Sequence, residues 1–205
     1  MRLIKFAFIA VSLFAFAGCP QVSEAQADRN AAPPAPSPTT INVAVKFAYP
    51  IGKTEFLTQA KDKKDDWYNA LDFGADDHLG EDWNKNSGGD TDCGEKVFAV
   101  ADGRIVYAAD AGPGWGNVVI IEHALSGGGK VQSLYGHLRK IFKTSGEVKF
   151  REQIGEIGNA DGKYLCHLHF EIRQETCPMW NRAGGGYSAD NQGWLDPSDF
   201  IDKNR

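Results

Sequence analysis

His167-Leu168-His169-Phe170-Glu171-Ile172-Arg173 alternates apolar and polar residues without a break. Successive side chains of a β-strand point to opposite faces. The stretch therefore reads as a strand with Leu168, Phe170 and Ile172 toward a core. His167, His169, Glu171 and Arg173 share the other face. Two imidazoles two residues apart on one face can converge on one centre. Taken alone, they are equally well explained as incidental members of a polar face.

Working outward, Asn117–His123 holds the β-branched run Val118-Val119-Ile120-Ile121, which suits a central strand. Gly127-Gly128-Gly129 breaks it, and Val131–His137 returns. Gly146–Val148 and Ile154–Gly158 add short strands. Val97–Ala101, Asp102-Gly103 and Arg104–Ala109 predict a tight hairpin, because Asp-Gly favours type I′ turns. Nearer the start, Ile41, Val43, Val45 and Phe47 alternate with Asn42, Ala44, Lys46 and Ala48, predicting another strand. These patterns give an all-β fold: a single antiparallel sheet or sandwich-type domain with Gly-rich loops.

The chain has 205 residues, enough for one domain and a tail. Arg2 and Lys5 precede the apolar stretch Phe6–Ala17, an export signal too short to serve as a membrane span. Phe16-Ala17-Gly18-Cys19 resembles a bacterial lipobox, so residues 1–18 are read as a lipoprotein signal and Cys19 as the lipid-bearing residue. Cleavage after Ala25-Gln26-Ala27 is the competing reading. Residues 19–40, with Pro33, Pro34, Pro36 and Pro38, form a flexible tether, and 41–205 the folded domain. The charge run Lys61–Asp66 reads as a solvated loop or helix face. The protein is thus expected in the cell envelope, reaching a membrane only through its anchor. Loss of Arg2 and Lys5 takes the net charge from −5 to −7, which argues against nucleic acid as a partner. Of Cys19, Cys93, Cys166 and Cys177, a lipidated Cys19 leaves three, hence one pair and one free thiol. Which residues pair, and the oligomeric state, are left open.

The remaining histidines are His78, His123 and His137. His78 and Asp82 are four apart and can share a face, and imidazole and carboxylate both ligate zinc. No His-Glu-x-x-His, Gly-x-Ser-x-Gly or phosphate-binding loop occurs. Taken in order, His78-x3-Asp82, Gly114-Trp115-Gly116-Asn117 through His123, Leu134-Tyr135-Gly136-His137-Leu138 and His167-x-His169-Phe170-Glu171 resemble the LytM/lysostaphin-type metallopeptidases.

That resemblance implies a zinc endopeptidase acting on peptidoglycan peptides. His78, Asp82 and His169 would hold one zinc ion, with a position left open as in catalytic sites. His137 and His167 would be the catalytic pair, one as general base and acid, the other steadying the developing oxyanion. The alternative it implies is a catalytically silent regulator of other wall hydrolases. His123 is expected to be a satisfied histidine packed near the site. Glu171 is expected either to orient a site histidine or to pair with Arg173, and Tyr68 is a candidate oxyanion donor. Two departures stand out. The Gly- and Asp-rich connection Asn84–Cys93 is long, and is expected to line the groove. Cys166 directly precedes His167. Gly184-Gly185-Gly186 is read as a loop beside the groove.

Overall fold

The fold is taken from a computed structural model that describes residues 42–53 and 66–205. The leader, Cys19, the tether, Ile41 and residues 61–65 of the charge run lie outside the described residues. The strands are β1 (Val43–Ala44), β2 (Trp67–Leu71), β3 (Glu81–Lys85), β4 (Lys96–Phe98), β5 (Gly103–Asp110), β6 (Asn117–Leu125), β7 (Lys130–Ile141), β8 (Gly146–Val148), β9 (Gln153–Ile157), β10 (Leu168–Gln174) and β11 (Trp194–Leu195). A 3-10 turn spans Ala75–Asp77, and helix α1 spans Pro197–Lys203.

The sheet runs β2-β3-β10-β7-β6-β5-β8, with β9 bridging β4 and β7 and β11 on β10. Every pairing is antiparallel except β1 against β6. The apolar run on β6 explains its central place: Val118, Val119, Ile120 and Ile121 are all fully buried. Val119 and Ile121 join the main core on one face, whereas Val118 and Ile120 pack with Leu134 on the other. Leu168, Phe170 and Ile172 of β10 enter the main core, as their alternation predicts.

Two expectations are corrected. Val97–Ala109 is not a hairpin: β4 pairs with β9, while β5 pairs with β6 and β8. Asp102 is engaged elsewhere, accepting from Phe150 N through Oδ1 at 2.7 Å. Gly103 has no positive φ. It is needed for close approach, since a Cβ there would lie 2.6 Å from Glu122 O and from His123 Nδ1. Near the start, only Val43–Ala44 is strand, and the burial phase is inverted. Ala44 is buried, while Val43 and Val45 are 46% and 82% exposed. The short parallel pairing with Ala124 and Leu125 sets that phase.

Helix α1 closes the fold beside the site. Asp196 caps it by accepting from Asp199 N. Ser198 donates to the buried Glu81 carboxylate from N at 3.2 Å and from Oγ at 2.9 Å. Trp83 Nε1 donates to the same group at 3.0 Å. Burial pushes the Glu81 carboxyl up to about 7, opposed by these donors.

Candidate metal centre

Three adjacent strands and one loop bring the histidines together. Asp82 on β3 lies opposite His169 on β10, and His169 lies opposite Gly136 on β7. His78 follows the 3-10 turn and bridges to Tyr187. His169 Nδ1 lies 3.0 Å from Asp82 Oδ1 and 3.0 Å from His78 Nε2. His78 Nε2 lies 3.3 Å from Asp82 Oδ1. Tetrahedral zinc with bonds of about 2.0–2.2 Å separates its ligand atoms by roughly 3.3–3.6 Å. The three donors could therefore hold one ion with small adjustments, and they form a group of metal-ligating type.

Polar neighbours fix which nitrogen is free. His169 Nε2 donates to Glu171 Oε1 at 2.9 Å, which leaves Nδ1 as the nitrogen that faces His78 and Asp82. Glu171 is held in turn by Arg173 Nε at 2.6 Å and Trp194 Nε1 at 2.6 Å. The Arg173 guanidinium also donates to the carbonyls of Met179, Arg182 and Ala183. The polar face of β10 is thus buried beneath this segment and carries no solvent-facing charge. Glu171 does both expected jobs, orienting a site histidine and pairing with Arg173. Burial would raise its carboxyl, but Arg173 and His169 hold it below the usual carboxylate range. Burial likewise would raise Asp82, yet hydrogen bonds to His169 and His78 hold it well below that range. Burial alone would lower His169, but Asp82 and Glu171 raise it to about 9, so the metal-free site retains a proton there.

His137 and His167 stand beside this group, with ring centroids 4.7 Å apart. His137 Nδ1 donates to Trp115 O at 3.1 Å, and His167 Nδ1 donates to Leu165 O at 2.8 Å. Nε2 is thus the nitrogen of each ring left outside these bonds, and His167 Nε2 lies 3.7 Å from Asp82 Oδ2. Burial, then the nearby His169 and His167, lower His137 to about 3, so it is neutral at pH 7. His137 adopts φ 59°, the left-handed region, which costs a non-glycine residue roughly 1–2 kcal/mol. Beside it, Gly136 makes room for the Trp115 ring, which a Cβ would approach to 3.0 Å.

A cleft of about 270 Å³ opens over the group. Trp115, Tyr164 and Tyr187 supply its aromatic walls, and Gly185 and Gly186 part of its rim. Tyr187 lies 5.0 Å from His78, and Tyr164 5.1 Å from His137, ring to ring. Neither tyrosine carries a periodic or spacing signal, although Tyr187 directly follows the glycine run. Tyr68 lies on β2 opposite Asn84 and is not among the lining residues. His123 is satisfied and buried as expected, but not near this group. It bonds Asp102 O at 2.9 Å and Ser133 Oγ at 2.8 Å and packs on Phe47.

The Asn84–Cys93 connection does not line the cleft; it braces it from behind. Cys93 and Cys166 form a disulfide, with Cα atoms 5.2 Å apart, and Cys177 is the free, buried thiol among the described residues. Asp90 Oδ1 accepts from Cys166 N at 2.8 Å, and Asn84 Nδ2 donates to Cys166 O at 3.3 Å. His167 is thereby mounted on a residue fixed through side chain and backbone alike.

Fold and site together define an antiparallel β-sheet domain that carries a His/Asp/His group of metal-ligating type. The model of peptidase family M23 matches residues 78–181, about half of the chain, and the chain belongs to that family. It is 43% identical over 81 residues to outer membrane antigenic lipoprotein B of Histophilus somni, a match covering 39% of this chain and 23% of that protein. It is 38% identical over 81 residues to murein hydrolase activator NlpD of Escherichia coli K12, covering 39% and 20%. With DD-carboxypeptidase/endopeptidase Mpg of Neisseria meningitidis it shares 37% identity over 86 residues, covering 42% and 19%. The match spans about a fifth to a quarter of the length of these relatives. Among solved structures, lysostaphin from solution is 26% identical over 62% of this chain and 43% of its own, with a TM-score of 0.45.

Proposed function

We propose that the chain is a zinc-dependent endopeptidase that hydrolyses peptide bonds in bacterial cell-wall peptidoglycan. The observation that carries this is the convergence of His78 Nε2, Asp82 Oδ1 and His169 Nδ1, with the rings of His137 and His167 beside them. Bound by those three ligands, zinc would lower the pKa of a water from 15.7 to about 7 and polarise the scissile carbonyl. His137 and His167 divide the proton work. The Nε2 lone pair of one takes a proton from the attacking water and returns it to the leaving amine. The other, in its imidazolium form, donates from Nε2 to the carbonyl oxygen as charge develops there. The Trp115 and Leu165 carbonyls each accept from an Nδ1, which leaves Nε2 of both rings for this work.

Relatives named as envelope lipoproteins and the leader ending at Cys19 support an exported chain anchored through a lipid on Cys19. In this reading residues 1–18 are removed, 19–40 tether, and 41–205 carry the activity. A second reading is a silent activator of other hydrolases, favoured by the likeness to a protein of that name.

Incubating the mature chain with purified peptidoglycan, with and without a zinc chelator, separates them. Mass spectrometry of the soluble fragments should reveal new amino termini that the chelator suppresses. Folded, zinc-loaded protein that releases no fragment from any wall type would replace the peptidase reading with the activator one.

A further inference from the structure

Outside the proposed metal ligands and the histidine pair, the cleft is lined by one cationic side chain. Its walls near the histidines are Trp115, Tyr164, Tyr187 and glycine backbone, all neutral. The carboxylate it contains, Asp82, is engaged by His78 and His169. Lys163 is the sole lysine or arginine among the lining residues. Its side chain is exposed and has no carboxylate partner among the described residues.

Lys163 also stands in a fixed place. Its own N donates to Ala160 O at 3.2 Å, and Tyr164 N donates to Asn159 O at 3.1 Å, closing the turn. The Asn159 side chain accepts from Gly162 N at 2.9 Å. Three residues on, Cys166 is pinned by the disulfide. The neighbouring Tyr164 ring packs on His137, and the Lys163 side chain reaches the Gly114 wall, with Cε 4.0 Å from a Cβ position there. The charge therefore sits one residue from a ring that touches the proposed catalytic pair.

We propose that Lys163 is a specificity-determining residue that reads a free carboxylate on the bound peptide. On this account, which rests on the peptidase reading, the cleft takes peptides that bear a free carboxylate in preference to neutral ones. The mature chain is acidic overall, so no long-range attraction brings such a peptide in. Recognition must come from a local cation, effective within a screening length of about 8 Å at physiological salt.

The test is calorimetric titration of the zinc-loaded mature chain at low temperature with two stem peptides, one with its carboxylates free and one with them converted to carboxamides. Each peptide is confirmed intact afterwards by mass spectrometry. An exposed ion pair predicts that the wild type binds the free acid about two- to five-fold more tightly. Lys163→Met should erase that preference, Lys163→Arg keep it, and Lys163→Glu reverse it. Equal binding by the wild type, or a preference that survives in Lys163→Met, overturns the proposal. A Lys163-dependent preference in a folded, zinc-loaded protein that releases no fragment from any wall type in the separate peptidoglycan digestion upholds this inference and sinks the peptidase reading. Cleavage without any preference does the opposite.

Discussion

Removing the Cys93–Cys166 bridge, through Cys93→Ala with Cys166→Ala, perturbs the brace behind His167. The bridge closes a loop with a sequence separation of 73 residues. Loop-closure entropy for that length gives about 4 kcal/mol of stabilisation, acting through the unfolded chain. For a domain of this size that corresponds to a fall in melting temperature of roughly 10 °C. With a urea slope of about 2 kcal/mol per molar, the midpoint should fall by about 2 M. The assay is urea unfolding of wild type and variant at pH 7.5, followed by tryptophan fluorescence and circular dichroism. Coincident transitions are required before free energies are compared. Both alanines keep a Cβ, and the Asp90 and Asn84 contacts to Cys166 are to its backbone. The folded state should therefore survive with its zinc content intact. A difference under about 1 kcal/mol at unchanged slope would refute the chain-entropy reasoning. Loss of zinc from the folded variant would show that the bridge shapes the ligand set directly.

Three further outcomes follow from the geometry. Arg173→Met strands the fully buried Glu171 carboxylate and should cost about 3–5 kcal/mol in thermal or urea unfolding. It should also weaken zinc binding about 10- to 100-fold in a competitive chelator titration, because Glu171 orients His169. Chelation should destabilise the wild type by about 4 kcal/mol if free zinc had stood at a thousand times its dissociation constant, whereas Asp82→Asn should show almost no chelator-dependent change in melting temperature. His123 gives a pH signature: burial lowers it to about 4, against about 6.5 in the unfolded chain. Its contribution is fully present above pH 6.5, where both states are neutral. As pH falls toward 4 the unfolded chain gains a proton that the folded chain resists, and about 3 kcal/mol is lost. Urea midpoints at pH 7, 5.5 and 4 should show His123→Gln losing less across that window than the wild type.

Part of the strand geometry was legible from period-two patterns. His169 could be placed on one face of β10 because Leu168, Phe170 and Ile172 had to occupy the other. The β-branched run likewise made β6 central. Fold class followed from these alternations and the family from the order of the motifs, and the antiparallel sheet and the family match bear them out. What escaped depended on contacts distant in sequence. Asp102-Gly103 has the composition of a hairpin turn, but Asp102 is drawn to Phe150 and Gly103 yields space to β6. The cover over Glu171 and Arg173 was illegible because it is made of backbone carbonyls in residues 179–183, which leave no mark in composition. Pairing of Cys93 with Cys166 needed the spatial meeting of two loops. Tyr164 and Tyr187 gain their meaning only from the ring beside each.

The arrangement of β3, β10 and β7 has a consequence for assembly. His78 and Asp82 are four residues apart, but the third donor, His169, comes 87 residues after Asp82. The three meet only once β10 has slotted between β3 and β7. Such long-range pairing is slow. A nascent or unfolded chain presents at most the local His78–Asp82 pair, a weak chelate that metals can exchange freely. For the zinc centre proposed above, metal selection would therefore follow completion of the sheet, and the metal supply of the compartment in which the chain folds would determine what the centre acquires.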